Sequence, residues 1–139
     1  MESKGVFSPE TEQAARERYE SLAPAAKSAI REATRTMGFG TEEYRERVTD
    51  DVLNSAQDAI FASLLQVQIG TRDEFESWQA DSSHSVTEIG HENVDNVAWH
   101  APLFADAAVA ATFQDEQEAA VDTLRRQAFG TLYVELLKS

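Results

Sequence analysis

The sequence predicts an α+β fold: a helical N-terminal layer of two or three helices packed on a small mixed or antiparallel sheet, with a long helix at the C-terminus. Three observations carry this expectation. Apolar residues recur every three to four positions through the first sixty residues, and short apolar runs suited to strands follow between Leu64 and Phe113. One apolar stripe then continues from Val121 to Leu136.

The first helix is expected from about Pro9 to Leu22. Ser8 can cap it, Pro9 suits the first helical position, and Glu10 complements the helix dipole. Pro24 restarts the chain, and Ala26, Ala29, Ile30, Ala33 and Met37 keep helical spacing up to Gly38, a natural C-terminal cap. From Thr41, the residues Tyr44, Val48, Val52, Leu53, Ala56 and Ile60 hold the same period across Thr49-Asp50-Asp51, as one helix or two. The period then changes. Leu65, Val67 and Ile69 alternate with glutamines, which predicts a strand from Leu64 to Ile69. Thr71-Arg72-Asp73-Glu74 has the form of a capping box, opening a short helix that carries Phe75 and Trp78.

Strands are expected near Val86–Ile89 and Val94–Trp99, joined by Gly90-His91-Glu92-Asn93. Val109, Ala111 and Phe113 suggest another strand, with an alanine-rich helix as the alternative. Asp115 to Glu118 opens the last helix, whose stripe is Val121, Leu124, Ala128, Leu132, Tyr133 and Leu136. No glycine- or proline-rich linker separates the helical part, about 8–63, from the mixed part, about 64–139. One domain over 1–139 is expected.

Composition narrows the chemistry. Zero cysteines among 139 residues exclude disulfides, thiolate metal sites and cysteine nucleophiles. The segment from Met1 to Phe7 has no long apolar stretch of the signal-peptide kind, and no apolar run reaches membrane-spanning length, so a cytoplasmic location is expected. Twenty-five acidic residues against twelve basic ones give a net charge of −13, with only three lysines among the basic set. Residues 1–63 carry 8 basic and 12 acidic side chains, and residues 64–139 carry 4 and 13. Both halves are acidic. Such a surface repels nucleic acid and suits concentrated salt, where charge repulsion is screened.

Candidate sites are few. The segment His84 to Asp106 holds all three histidines, and a base or metal ligand near neutral pH would come from His91 or His100 with Glu92 and Asp95. Their spacing matches no zinc signature, and no nucleotide or cofactor motif is present, so neither a metal nor a cofactor is expected. Solvated or backbone-bonded histidines are the simpler reading. Trp78 and Trp99 offer stacking surfaces for a ligand or partner, against a plainer role in the core. Arg125 and Arg126 have the forked geometry that holds carboxylates or phosphates, although Glu118 and Asp122 lie near enough in sequence to neutralise them. Thr36 to Asp58 could pass for a helix-turn-helix around Met37-Gly38-Phe39-Gly40. Its second helix, however, opens on two glutamates, and no basic patch is evident in the sequence.

The stretches Phe61-Ala62-Ser63-Leu64-Leu65, Gly70 to Phe75, Glu92 to His100 and Thr123 to Gly130 resemble a family of small acidic haloarchaeal proteins that share a domain of unknown function. The resemblance covers nearly the whole chain. It implies a halophilic source and a free-standing cytoplasmic protein, and it carries over no catalytic residue. The expected function is a non-enzymatic protein-interaction or regulatory module working through a protein partner or its own dimer. The alternatives are a small metal-binding protein or enzyme built on His91 and His100, and a helix-turn-helix DNA-associated protein.

Overall fold

The computed structural model describes residues 1–91 and 93–138. Its architecture is α+β: among the described residues four helices lie between the first and second strands of a five-stranded mixed sheet, a fifth lies between the second and third, and a long helical segment follows the last strand. The elements are β1 (Glu2–Lys4), α1 (Glu12–Ser21), α2 (Ala23–Thr36), α3 (Thr41–Arg47), α4 (Asp50–Leu64), β2 (Val67–Thr71), α5 (Arg72–Asp81), β3 (Ser85–Ile89), β4 (Asn96–His100), β5 (Ala107–Phe113) and α6 (Gln117–Ala128). A π-helical turn, Phe129–Tyr133, and α7 (Val134–Lys138) complete the C-terminal segment.

Local chemistry sets most boundaries. The Thr11 side chain accepts from the Ala14 amide, so α1 begins three residues later than the serine and proline suggest. Thr49 caps α4 in the same way, and the extended Val48 before it divides the 41–64 segment into two helices. At the end of α2, Gly38 takes a φ of +82°, and the Phe39 amide closes back on the Thr34 carbonyl at 3.0 Å. The capping box at Thr71 and Glu74 is present with both of its hydrogen bonds.

The sheet order is β1-β2-β4-β5-β3. β3 pairs parallel with β5, and the other neighbours are antiparallel. Three features differ from the sequence reading or add to it. The strand predicted at Leu64–Ile69 runs from Val67 to Thr71, because α4 continues to Leu64. Leu65 makes only an isolated bridge with Phe7. The strands joined by Gly90 to Asn93 do not form a hairpin, since β5 lies between them. Finally, Glu2–Lys4 forms an edge strand with no apolar pattern, held on β2 by main-chain pairing.

Each face of the sheet has its own core. On one face, Val67, Ile69, Ala98, Val109 and Ala111 meet Ala15, Phe61, Val121, Leu124, Ala128 and Tyr133. Phe61 is the hub, edge-on to Phe7, Tyr19, Phe129 and Tyr133 with ring centroids 5.1 to 5.8 Å apart. On the other face, α5 brings Phe75 and Trp78 over Val97, Trp99 and Ala110. Alanines in β5 suit this arrangement, since small side chains let helices and indoles approach a strand covered on both sides. Burial on both faces also decides between strand and helix for 107–113.

Candidate functional site

The three histidines occupy three different surroundings. His84 has both ring nitrogens engaged, Nδ1 with Ser82 Oγ at 2.8 Å and Nε2 with the Pro102 carbonyl at 3.0 Å. His91 is exposed in the loop after β3, with its amide donating to Thr112 Oγ1 and its Nδ1 accepting from the Asn93 amide. It borders an open groove of about 770 Å³ floored by Ala119 and Ala120 and edged by Asp115 and Glu116. His100 is buried in β4, between the Gln66 carbonyl and the Tyr133 hydroxyl, and burial lowers its pKa to about 4.

His91 and His100 are therefore not brought together. Asp95 is exposed, and its carbonyl accepts the Arg72 amide at 2.5 Å. Glu92 lies outside the described residues. Among the described residues, no group of three or more histidines and carboxylates could hold a metal ion. The loop from His91 to Asp95 is tied instead by Arg72, whose guanidinium reaches Glu88 Oε1 at 2.8 Å and the carbonyls of His91 and Val94.

Trp99 is fully buried, 5.2 Å from Phe75 and 5.6 Å from Trp78 by ring centroids, and Trp78 is half-buried at the edge of this cluster. Among the described residues, nothing accepts the Trp99 indole N–H. Among the described residues Arg125 has no carboxylate within 4.0 Å; its Nε donates to the Leu65 carbonyl at 3.0 Å and pins α6 to the end of α4. Gly5 passes this point with a φ of +96°, where a Cβ would run into the Leu65 carbonyl and the Arg125 guanidinium. Arg126 is exposed on α6. No salt bridge to either arginine exists among the described residues, so the neutralisation expected from Glu118 and Asp122 is not a direct contact.

A different set of arginines converges. The Gly38 turn leads from α2 into α3, and a cleft of about 440 Å³ between them is lined by Arg31, Thr34, Arg35, Phe39, Gly40, Thr41, Tyr44 and Arg45. Phe39 and Tyr44 are half-buried and form an apolar floor, and the guanidinium of Arg47 lies 5.8 Å from the Phe39 ring. Arg31 and Arg45 have no carboxylate within 4.0 Å among the described residues. Arg35 has one, Glu32 at 3.3 Å, with both side chains largely exposed. The signal for this cleft was local charge: residues 23–47 carry five basic and four acidic side chains, whereas the rest of the chain carries seven and twenty-one.

No helix among the described residues is long and apolar enough to cross a membrane. The chain matches the model of a Family of unknown function (DUF5809) over residues 6–134, and it belongs to that family. No curated protein and no solved structure matches it.

Proposed function

We propose that this family member is a non-enzymatic interaction module that engages a protein partner through the corner made by α2 and α3. The observation that carries this reading is the cleft between them, where an aromatic floor is rimmed by arginines in an otherwise acidic chain. Arginine and large aromatic side chains supply most of the binding energy at protein interfaces. Met37, at the end of α2, is 67% exposed and adds apolar surface beside the turn. Affinity capture in molar potassium chloride tests the reading, with the parent chain against Met37→Glu and Tyr44→Ala. A partner retained by the parent and lost by both variants supports it; equal recovery by all three chains refutes it.

The finer identity follows from charge. We infer a haloarchaeal cytoplasmic protein working as one domain over 1–139, in which carboxylates hold the surface hydrated and apart at high salt. Two cores on opposite faces of one sheet support the single unit.

A further inference from the structure

The proposed interaction surface also carries information about what it recognises, and the following inference rests on that reading. We propose that the α2–α3 cleft docks a short acidic segment of a partner protein, one or two carboxylates flanking an apolar side chain. Arg31, Arg35 and Arg45 line the same cleft, and an arginine guanidinium matches a carboxylate through two parallel N–H donors. Arg31 and Arg45 have no carboxylate within 4.0 Å among the described residues, in a chain with twice as many acids as bases. The Arg35–Glu32 pair is 77% and 70% exposed, so exchanging Glu32 for an incoming carboxylate costs little. Phe39 and Tyr44 give the apolar side chain a floor and Thr41 adds a hydroxyl at the wall, whereas the buried Thr34 hydroxyl is turned back on the Ile30 and Arg31 carbonyls.

The surroundings favour a protein segment over a nucleic acid. Glu42, Glu43 and Glu46 line the adjoining hollow on the other side of α3, together with Arg47. A polyanion needs a continuous basic track, and these glutamates interrupt it next to the cleft. One or two carboxylates need no such track.

The test is a titration of the full chain, followed by amide chemical shifts in about 0.5 M potassium chloride, where the Debye length is about 4 Å. The probes are a hexapeptide with glutamates flanking leucine, its glutamine counterpart, inorganic phosphate and a single-stranded oligonucleotide. The glutamate peptide is expected to shift amides from Arg31 to Arg45 and to bind at least tenfold more tightly than the glutamine peptide. Arg31→Gln with Arg45→Gln should weaken it about tenfold or more while leaving the thermal midpoint unchanged, since both side chains are exposed. Equal binding of both peptides, insensitivity to the double variant, or saturation by phosphate or oligonucleotide without the peptide overturns the proposal. Loss of peptide binding alongside partner capture that still fails in Met37→Glu removes this inference and leaves the interaction reading standing.

Discussion

The Tyr133 hydroxyl donates to Nε2 of His100 at 2.7 Å, joining the C-terminal π turn to the central strand β4. The proton positions follow from the other side of the ring. Nδ1 faces the Gln66 carbonyl at 2.6 Å, which can only accept, so Nδ1 carries the hydrogen and Nε2 takes the one from tyrosine. Both side chains are essentially inaccessible to solvent, and burial raises the Tyr133 pKa, keeping that donor neutral. This buried pair is a structural clasp made from a candidate catalytic histidine.

The clasp predicts a pH dependence. Burial is the main cause lowering the His100 pKa to about 4, with Arg125 adding to it and the Gln66 hydrogen bond opposing it. Between an ordinary value near 6.5 and about 4, the unfolded chain binds a proton that the native chain refuses. Stability therefore falls as pH drops through that window, by about 3 kcal/mol in full, and His100 adds no further loss below it. Carboxylates titrate in the same range, so the readout is the difference in urea midpoint between the parent and His100→Gln across pH 4 to 7. A difference that does not change with pH would show that His100 is not held neutral by burial.

Removing the donor should be costly. Tyr133→Phe keeps the ring among Phe61 and Phe104 but leaves Nε2 of His100 buried without a partner, a loss of about 1 to 3 kcal/mol. Chemical denaturation measures it. A change below about 0.3 kcal/mol would mean that water reaches the ring.

The cap on α5 is separable from the cores. Thr71→Ala removes the acceptor for the Glu74 amide at 3.1 Å and should cost about 1 kcal/mol. Faster hydrogen exchange should be confined to the first turn of α5. Unaltered exchange at Glu74 would show that the capping box contributes nothing.

Core truncations should follow burial. Leu124 is fully buried and Leu132 is half-buried against the same cluster, so Leu124→Ala should cost about 2 to 5 kcal/mol and Leu132→Ala less. The reverse order, measured by denaturation, would place the apolar stripe of the C-terminal helical segment the wrong way round.

Screening gives the salt prediction. With a net charge of −13, raising potassium chloride to molar levels shortens the Debye length from about 10 Å at 0.1 M to about 3 Å, and the compact state gains more than the expanded one. The thermal midpoint should rise. A variant with several exposed glutamates changed to glutamine should rise less; equal rises would mean that screening is not the cause.

How much of this was legible in the sequence depends on range. Thr71 and Glu74 are three residues apart, and their capping box could be read directly from local chemistry. Helical periodicity likewise located α2, α4 and α6. The same periodicity ran across Thr49 without marking the break that its cap makes between α3 and α4. β1 carries no side-chain pattern because its pairing with β2 is main-chain, and its placement depends on residues more than sixty positions away. The insertion of β5 between β4 and β3 is also a long-range choice, invisible to alternation within any one strand.

Candidate residues followed the same rule. His100 and Tyr133 are 33 positions apart, so the sequence showed a histidine near neutrality where the fold makes a buried neutral one. Arg31, Arg35 and Arg45 are spread over two helices, and only the Gly38 turn brings them to one cleft. Their local excess of positive charge was readable. Their convergence was not.

Hydrogen exchange on the captured complex, comparing the chain alone with the chain bound to its partner in molar potassium chloride, reads out which surface the partner covers. Slowed exchange is expected across the end of α2 and the start of α3, from Ile30 to Arg45, with the loop at His91 unchanged. Protection confined to the groove of His91, Asp115 and Glu116, with the α2–α3 corner exchanging as in the free chain, would contradict it.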